Sequence, residues 1–138
     1  MNEGNKERSI IIDDDANILF LLENFTKKLG YFPKCYERVS EFKKNISSEL
    51  EEGISLLISD KDVNGEDGYE LTKWLRDNNY NFPIILISGD PYFEESRVIN
   101  YKISFLRKPF DLGALRKKIE QAYSLVDKKL HRALSLMK

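Results

Sequence analysis

Four short apolar runs constrain this chain more than any other feature: SIII (residues 9–12), ISLLIS (54–59), PIILIS (83–88) and ISFLR (103–107). Each is continuous rather than alternating, which suits a strand buried on both faces, and segments with helical spacing lie between them. After the first run Ile18, Leu22, Phe25 and Leu29 recur at helical intervals, and Gly30 supplies a stop. YFPKCY (31–36) reads as a further strand; Pro33 cannot donate to a central ladder, which puts it at a sheet edge. Ser40 is placed to cap a helix carrying Phe42, Ile46 and Leu50 and closed by Gly53. VNGEDG (63–68) is turn chemistry, and Leu71, Trp74 and Leu75 share one side of the helix that follows. Residues 92–100 support only a short, weakly patterned helix, whereas Asp111 caps a last one that starts at Leu112.

Strands alternating with helices over 138 residues predict one α/β domain, a five-stranded parallel sheet covered on both faces. Right-handed crossovers point every strand the same way, so their C-terminal ends share the sheet edge where open α/β folds bind ligands. Asp13, Asp14, Asp60, Ser88 and Lys108 stand at or just beyond those ends. Carboxylates ~4 Å apart repel by about 4 kcal/mol per pair at an effective dielectric of about 20. Such a group must raise its own pKa values or recruit a cation. An all-oxygen site with few protein ligands suits Mg²⁺, which keeps part of its hydration shell; Ca²⁺ wants more oxygens than these residues offer. Lys108 and the Ser88 hydroxyl add a positive charge and a hydrogen-bond donor. The set describes a pocket that neutralises a phosphoryl group carried on one of the aspartates.

Composition narrows the alternatives. A formal charge of −1, from 22 basic and 23 acidic residues, argues against nucleic acid or an anionic membrane as the main partner. The single cysteine, Cys35, rules out an internal disulfide framework and a thiolate metal site, and fits a reducing compartment. MNEGNKERS has no apolar run before Ile10 and reads as neither signal peptide nor membrane anchor, so the expected location is the cytoplasm.

These residues resemble the response regulator receiver domain of two-component signalling, from about Arg8 to Tyr123. The likeness rests on the acidic pair Asp13 and Asp14, on Asp60 with Gly68 eight residues on, on Ser88, and on Lys108-Pro109-Phe110. It implies a flavodoxin-like, doubly wound sheet of order 2-1-3-4-5. It implies Mg²⁺ held by Asp14, Asp60 and the backbone carbonyl of Asp62, with Asp13 acting through water. It further implies that Asp60 is the phosphoacceptor, supplied by a histidine kinase or phosphotransfer protein, and that Ser88 and Phe105 form a switch pair. Such a domain signals, and catalyses only its own phosphorylation and dephosphorylation. Asp15 is then the residue that turns the chain into its first helix.

The chain also departs from the family pattern. Asn64 stands where a proline is frequent, which predicts a looser loop. The resemblance implies that the positions of Asp62 and Asp90 flank the path of the water that hydrolyses the acyl phosphate, so this acidic pair is expected to tune phosphoryl lifetime. The interval from Ser88 to Lys108 is about two residues short, and Tyr101 and Lys102 replace the usual small pair, so the fourth helix should be short or irregular. Ile119, Tyr123, Val126, Leu130, Ala133 and Met137 form a seam that outlasts the domain, with Lys128, Lys129, His131 and Arg132 on the wet side. The organisation expected is a disordered tail at 1–8, a receiver domain at 9–124 and a helical extension or linker at 125–138. That extension offers a route to a homodimer, to an output module in a longer chain, or to packing back on the domain. Two other readings compete: a pseudo-receiver that binds without taking phosphate, and a haloacid dehalogenase-type phosphatase with Asp60 as nucleophile and Asp62 as acid/base. The second lacks the acidic pair that family needs after its lysine.

Overall fold

The computed structural model describes residues 7–127. Its chain order is β1 (Glu7–Ile12), α1 (Ala16–Lys28), β2 (Tyr31–Tyr36), α2 (Val39–Lys44), α3 (Ile46–Glu52), β3 (Leu56–Asp60), β4 (Asp62–Val63), β5 (Glu66–Asp67), α4 (Gly68–Asp77), β6 (Ile84–Ser88), α5 (Ser96–Ile99), β7 (Ser104–Arg107) and α6 (Leu112–Val126). Five of these strands form one sheet, ordered β2-β1-β3-β6-β7, with every neighbouring pair parallel. This is the predicted order once the short β4–β5 hairpin is set aside. The Pro33 strand is at an edge, as its missing donor requires.

Alternation along the strands builds two cores. Ile10, Ile12, Leu57, Ile84 and Leu86 face one side with Phe42, Leu71, Leu75 and Phe93; Ile11, Ile58, Ile85 and Ile87 face the other with Leu19, Leu22, Leu115 and Ile119. Both faces are therefore covered, which is why the runs are apolar throughout rather than in alternate positions.

Register brings the strand exits together. Ile12 lies opposite Ser59, Asp60 opposite Ile87, and Ser88 opposite Arg107. Asp13, Asp60, Ser88 and Lys108 thus leave the sheet at nearly one level. Asp15 caps α1, its carboxylate accepting from the amides of Asn17 (2.8 Å) and Ile18 (3.4 Å), and Asp111 caps α6 through the amide of Ala114 (2.8 Å).

Two expectations are corrected. The helix predicted to run from Ser40 to Gly53 is two helices, broken at Asn45, whose side-chain amide bonds back to the carbonyl of Glu41 at 2.9 Å. Ser40 lies inside α2 rather than capping it; the carboxylate of Glu66 accepts from the amides of Val39 (2.8 Å) and Ser40 (3.2 Å) instead. β1 also begins at Glu7, so the sheet includes two residues assigned above to the tail. Arg8 supplies the reason, binding Glu49 at 2.6 Å and the carbonyl of Gly53 at 2.9 Å. Buried Glu49 also takes a hydrogen bond from Tyr36 and an ion pair from Lys34. Burial pulls its carboxyl upward, yet these donors outweigh it and hold it below the ordinary value.

α5 is a single turn, as predicted. The seam on α6 buries Ile119, and Tyr123 meets Tyr31 hydroxyl to hydroxyl at 2.9 Å. Residues 1–6 of the expected tail and 128–138 of the expected extension, with Leu130, Ala133, Met137, His131 and their basic neighbours, lie outside the described residues.

Candidate phosphoacceptor and metal site

Asp13 is buried where β1 ends. Its Oδ1 accepts from the amide of Asp15 at 2.9 Å and its Oδ2 faces Lys108 Nζ at 3.4 Å. The same ammonium reaches Asp60 Oδ2 at 3.2 Å, while Asp60 Oδ1 accepts from the amide of Lys61 at 2.8 Å. Asp14, exposed at the rim, completes the set. One carboxylate oxygen from each of Asp13, Asp14 and Asp60 falls within 4.8 Å of the others.

Electrostatics follows from that crowding. Burial is the main reason the Asp13 carboxyl is pushed up to about 6, and the charge of Asp60 adds to it against the Asp15 amide and Lys108. Burial raises Asp60 as well, opposed chiefly by Lys108. Burial pulls the Lys108 ammonium down, but Asp13 and Asp60 outweigh it and leave it above the ordinary lysine value. One ammonium cannot neutralise three carboxylates. The donor set, all oxygen and short of positive charge, fits a hard divalent cation.

Ser88 is buried at the end of β6, its Oγ accepting from the amide of Asp90 at 2.9 Å; the carbonyl of Ser88 accepts from the amide of Lys108 at 2.9 Å. The Lys108–Pro109 peptide is cis. Phe105 is 3% exposed and turned inward, its ring 5.3 Å from that of Phe93 and 5.0 Å from the guanidinium of Arg107. Asp62 is 74% exposed and pairs with Lys61 at 3.4 Å, facing solvent as an ordinary rim carboxylate.

The loop after Asp60 is tighter than its missing proline predicts. Val63-Asn64-Gly65-Glu66 closes a two-residue hairpin, with φ of 50° at Asn64 and 77° at Gly65. These are the paired positive values of an Asn-Gly hairpin turn. Asn64 donates its amide to Asp14 Oδ2 at 2.7 Å and its side chain to the carbonyl of Glu37 at 3.1 Å. A proline here would have neither the dihedral nor the N–H. Asn64→Pro is therefore expected to destabilise the domain by about 2–3 kcal/mol, and Asn64→Gly, which keeps both, by about 1 kcal/mol or less. Urea unfolding of the two variants beside the wild type checks this; equal midpoints would show that the turn is not under conformational constraint.

The sequence reading thus placed Asp13, Asp14, Asp60, Ser88 and Lys108 on one edge, and the structure brings them there. It did not anticipate Lys61, Glu66 or Arg107, whose contacts depend on loop geometry. An Asn-Gly pair between alternating residues was the one available signal for the hairpin.

Comparison with known proteins agrees with this fold. The profile of the response regulator receiver domain matches residues 10–120. The transcriptional regulatory protein GltR of Pseudomonas aeruginosa is 30% identical over 122 residues, covering 85% of this chain and 49% of that protein. The DNA-binding transcriptional regulator NtrC of Escherichia coli is 26% identical over 117 residues, 83% of this chain but 24% of NtrC. The chain spans about half the length of GltR and less of NtrC. Among solved structures, a receiver domain protein from Clostridium thermocellum superposes with a TM-score of 0.74 at 17% identity, covering 94% of this chain and 98% of that one. A CheY-like receiver domain protein from Methanospirillum hungatei gives 0.74 at 22% identity, covering 89% and 98%.

Proposed function

Because the chain belongs to the response regulator receiver domain family of two-component signalling, we propose that Asp60 takes a phosphoryl group from a phosphohistidine on a partner kinase or phosphotransfer protein. What carries this reading is the Lys108 ammonium bound at once to Asp60 (3.2 Å) and buried Asp13 (3.4 Å), with Asp14 beside them. A carboxylate oxygen of Asp60 attacks phosphorus as the P–N bond breaks; the electron pair leaves with the histidine nitrogen, and a mixed anhydride remains on Asp60. Lys108 is within reach of the oxygens that gain charge. The Ser88 hydroxyl, already accepting from the Asp90 amide, keeps its own proton free to donate to them. Asp14, Asp60 and the backbone carbonyl of Asp62 would hold Mg²⁺, with Asp13 acting through water, and the bound ion would supply positive charge against the phosphoryl oxygens.

Ser88 and Phe105 are the proposed switch pair, in which the hydroxyl shifts toward the phosphoryl group and the ring follows. Phe105 sits on Phe93, so its movement would disturb the β6–α5 loop. The proposed compartment is the cytoplasm; among the described residues no helix is long and apolar enough to cross a membrane. Dimerisation through the C-terminal helix is likewise a proposal.

Incubation with acetyl phosphate and Mg²⁺ tests the central claim. The wild type is expected to gain the mass of one phosphoryl group, and Asp60→Asn to gain none; a wild type that stays unmodified rejects the reading. For the lifetime role of Asp62 and Asp90, exchange for Asn and Ala respectively is expected to change the rate at which the adduct is lost. An unaltered decay rate removes that role.

A further inference from the structure

Lys61, the residue after Asp60, has a side chain only 19% exposed, and its ammonium lies between two acids: Asp62 Oδ2 at 3.4 Å and Asp90 Oδ2 at 3.7 Å. It also stands 5.5 Å above the ring of Phe93. Asp90 belongs to the loop after β6, so the pair joins the exit of β3 to the exit of β6. From the far side, Arg107 at the end of β7 donates to the carbonyl of Asp90 at 2.5 Å and to that of Phe93 at 2.6 Å. Within the loop, Asp90 Oδ1 accepts from the amide of Tyr92 at 2.9 Å, and the Asp90 carbonyl accepts from the amide of Phe93 at 3.2 Å. The loop is therefore held by one cation from each neighbouring strand.

What it holds is the Ser88 hydroxyl. The amide of Asp90 donates to Ser88 Oγ at 2.9 Å, a hydrogen bond that orients this side chain. A serine oxygen that accepts from a fixed amide has its rotor limited, and its proton is directed to the remaining space. If Asp90 drifts, that restraint goes with it. Positioning a donor ahead of the reaction is worth more than supplying it freely rotating, because orientation is not then lost at the transition state.

We propose that Lys61 is a positioning residue: its bridge to Asp90, opposed by the grip of Arg107, fixes the amide that aims the Ser88 hydroxyl at the phosphoryl site. The proposal rests on Asp60 as phosphoacceptor and adds a residue to that site. It also changes the meaning of the acidic pair. Asp62 and Asp90 share one ammonium, so altering either redistributes Lys61 as well as the charge near the hydrolytic water.

The test compares Lys61→Met, Lys61→Arg, Asp90→Asn and the Lys61→Met/Asp90→Asn double variant. The rate of phosphoryl gain from acetyl phosphate with Mg²⁺ is followed by mass, and the backbone amide resonance of Asp90 by ¹⁵N NMR. A partly exposed ion pair acting through one donor predicts about a fivefold slowing in Lys61→Met and in Asp90→Asn. The double variant should be no slower than either single one, and Lys61→Arg should return to the wild-type rate with the Asp90 amide shift restored. Wild-type kinetics in Lys61→Met, fully multiplicative losses in the double variant, or no recovery with arginine would each overturn the proposal. If the wild type itself takes no phosphoryl group, the phosphoacceptor reading fails separately. The clasp is then judged by NMR alone, where an Asp90 amide unmoved by Lys61→Met overturns it and one that moves and is restored by arginine supports it.

Discussion

Lys108→Met is expected to slow phosphoryl gain at Asp60 by about two to three orders of magnitude, the loss typical of removing one preorganised charge stabiliser. Methionine keeps the unbranched stem but removes the ammonium that, among the described residues, contacts both Asp60 and Asp13. Stopped-flow or mass measurements with acetyl phosphate read this directly, and a loss of less than about fivefold would show that Lys108 is not near the charge that develops. A second readout comes from pH. In the wild type burial pushes the Asp13 carboxyl up to about 6, above its ordinary 3.8. The folded chain therefore binds more protons than the unfolded one between those values, and stability falls as pH rises through that window. Without Lys108 the opposing attraction is gone, so the carboxyl rises further and the decline should extend to higher pH. Unfolding midpoints measured from pH 4 to pH 8 check the direction.

Among the described glycines, Gly68→Ala should meet the closest backbone obstacle and be strongly disruptive. A Cβ there would lie 1.8 Å from the carbonyl oxygen of Asp60 and 2.9 Å from Ser59 Oγ. The amide of Gly68 donates to the carbonyl of Lys61 at 2.7 Å, so α4 starts directly against the end of β3. The obstacle is backbone, which cannot rotate away like a side chain, and relief requires shifting either α4 or the end of β3. Overpacking of this kind costs about 3 kcal/mol, or about 10 °C in melting temperature for a domain of this size. Phosphoryl gain should fall together with stability, because the displaced atoms belong to Asp60. An alanine variant melting within 2 °C of the wild type would contradict the close approach. Gly68 stands eight residues after Asp60 because of contact, not turn conformation.

Much of the site was legible because its residues share one local signature. Each stands at or just beyond the end of an apolar run, and parallel strands with right-handed crossovers leave no choice about the edge at which they gather. Asp13 follows Ile12, Asp60 ends β3, Ser88 ends β6 and Lys108 follows Arg107. Burial of both sheet faces, helix starts at Asp15 and Asp111, and the edge position of the Pro33 strand came from equally local chemistry. The helix predicted from Ser40 failed because periodicity alone does not register the back-bonding of Asn45.

Sequence alone thus determined which groups meet, since strand polarity and hydrophobic period are carried by neighbouring residues. Only the tertiary structure decided how they are held. Asn64 reaches Asp14 across 50 residues, Glu66 caps α2 across 27, and Lys61 meets Asp90 from another strand. Contacts of that kind depend on loop dihedrals and on approaches of a few ångströms, and no pattern within a single segment encodes either.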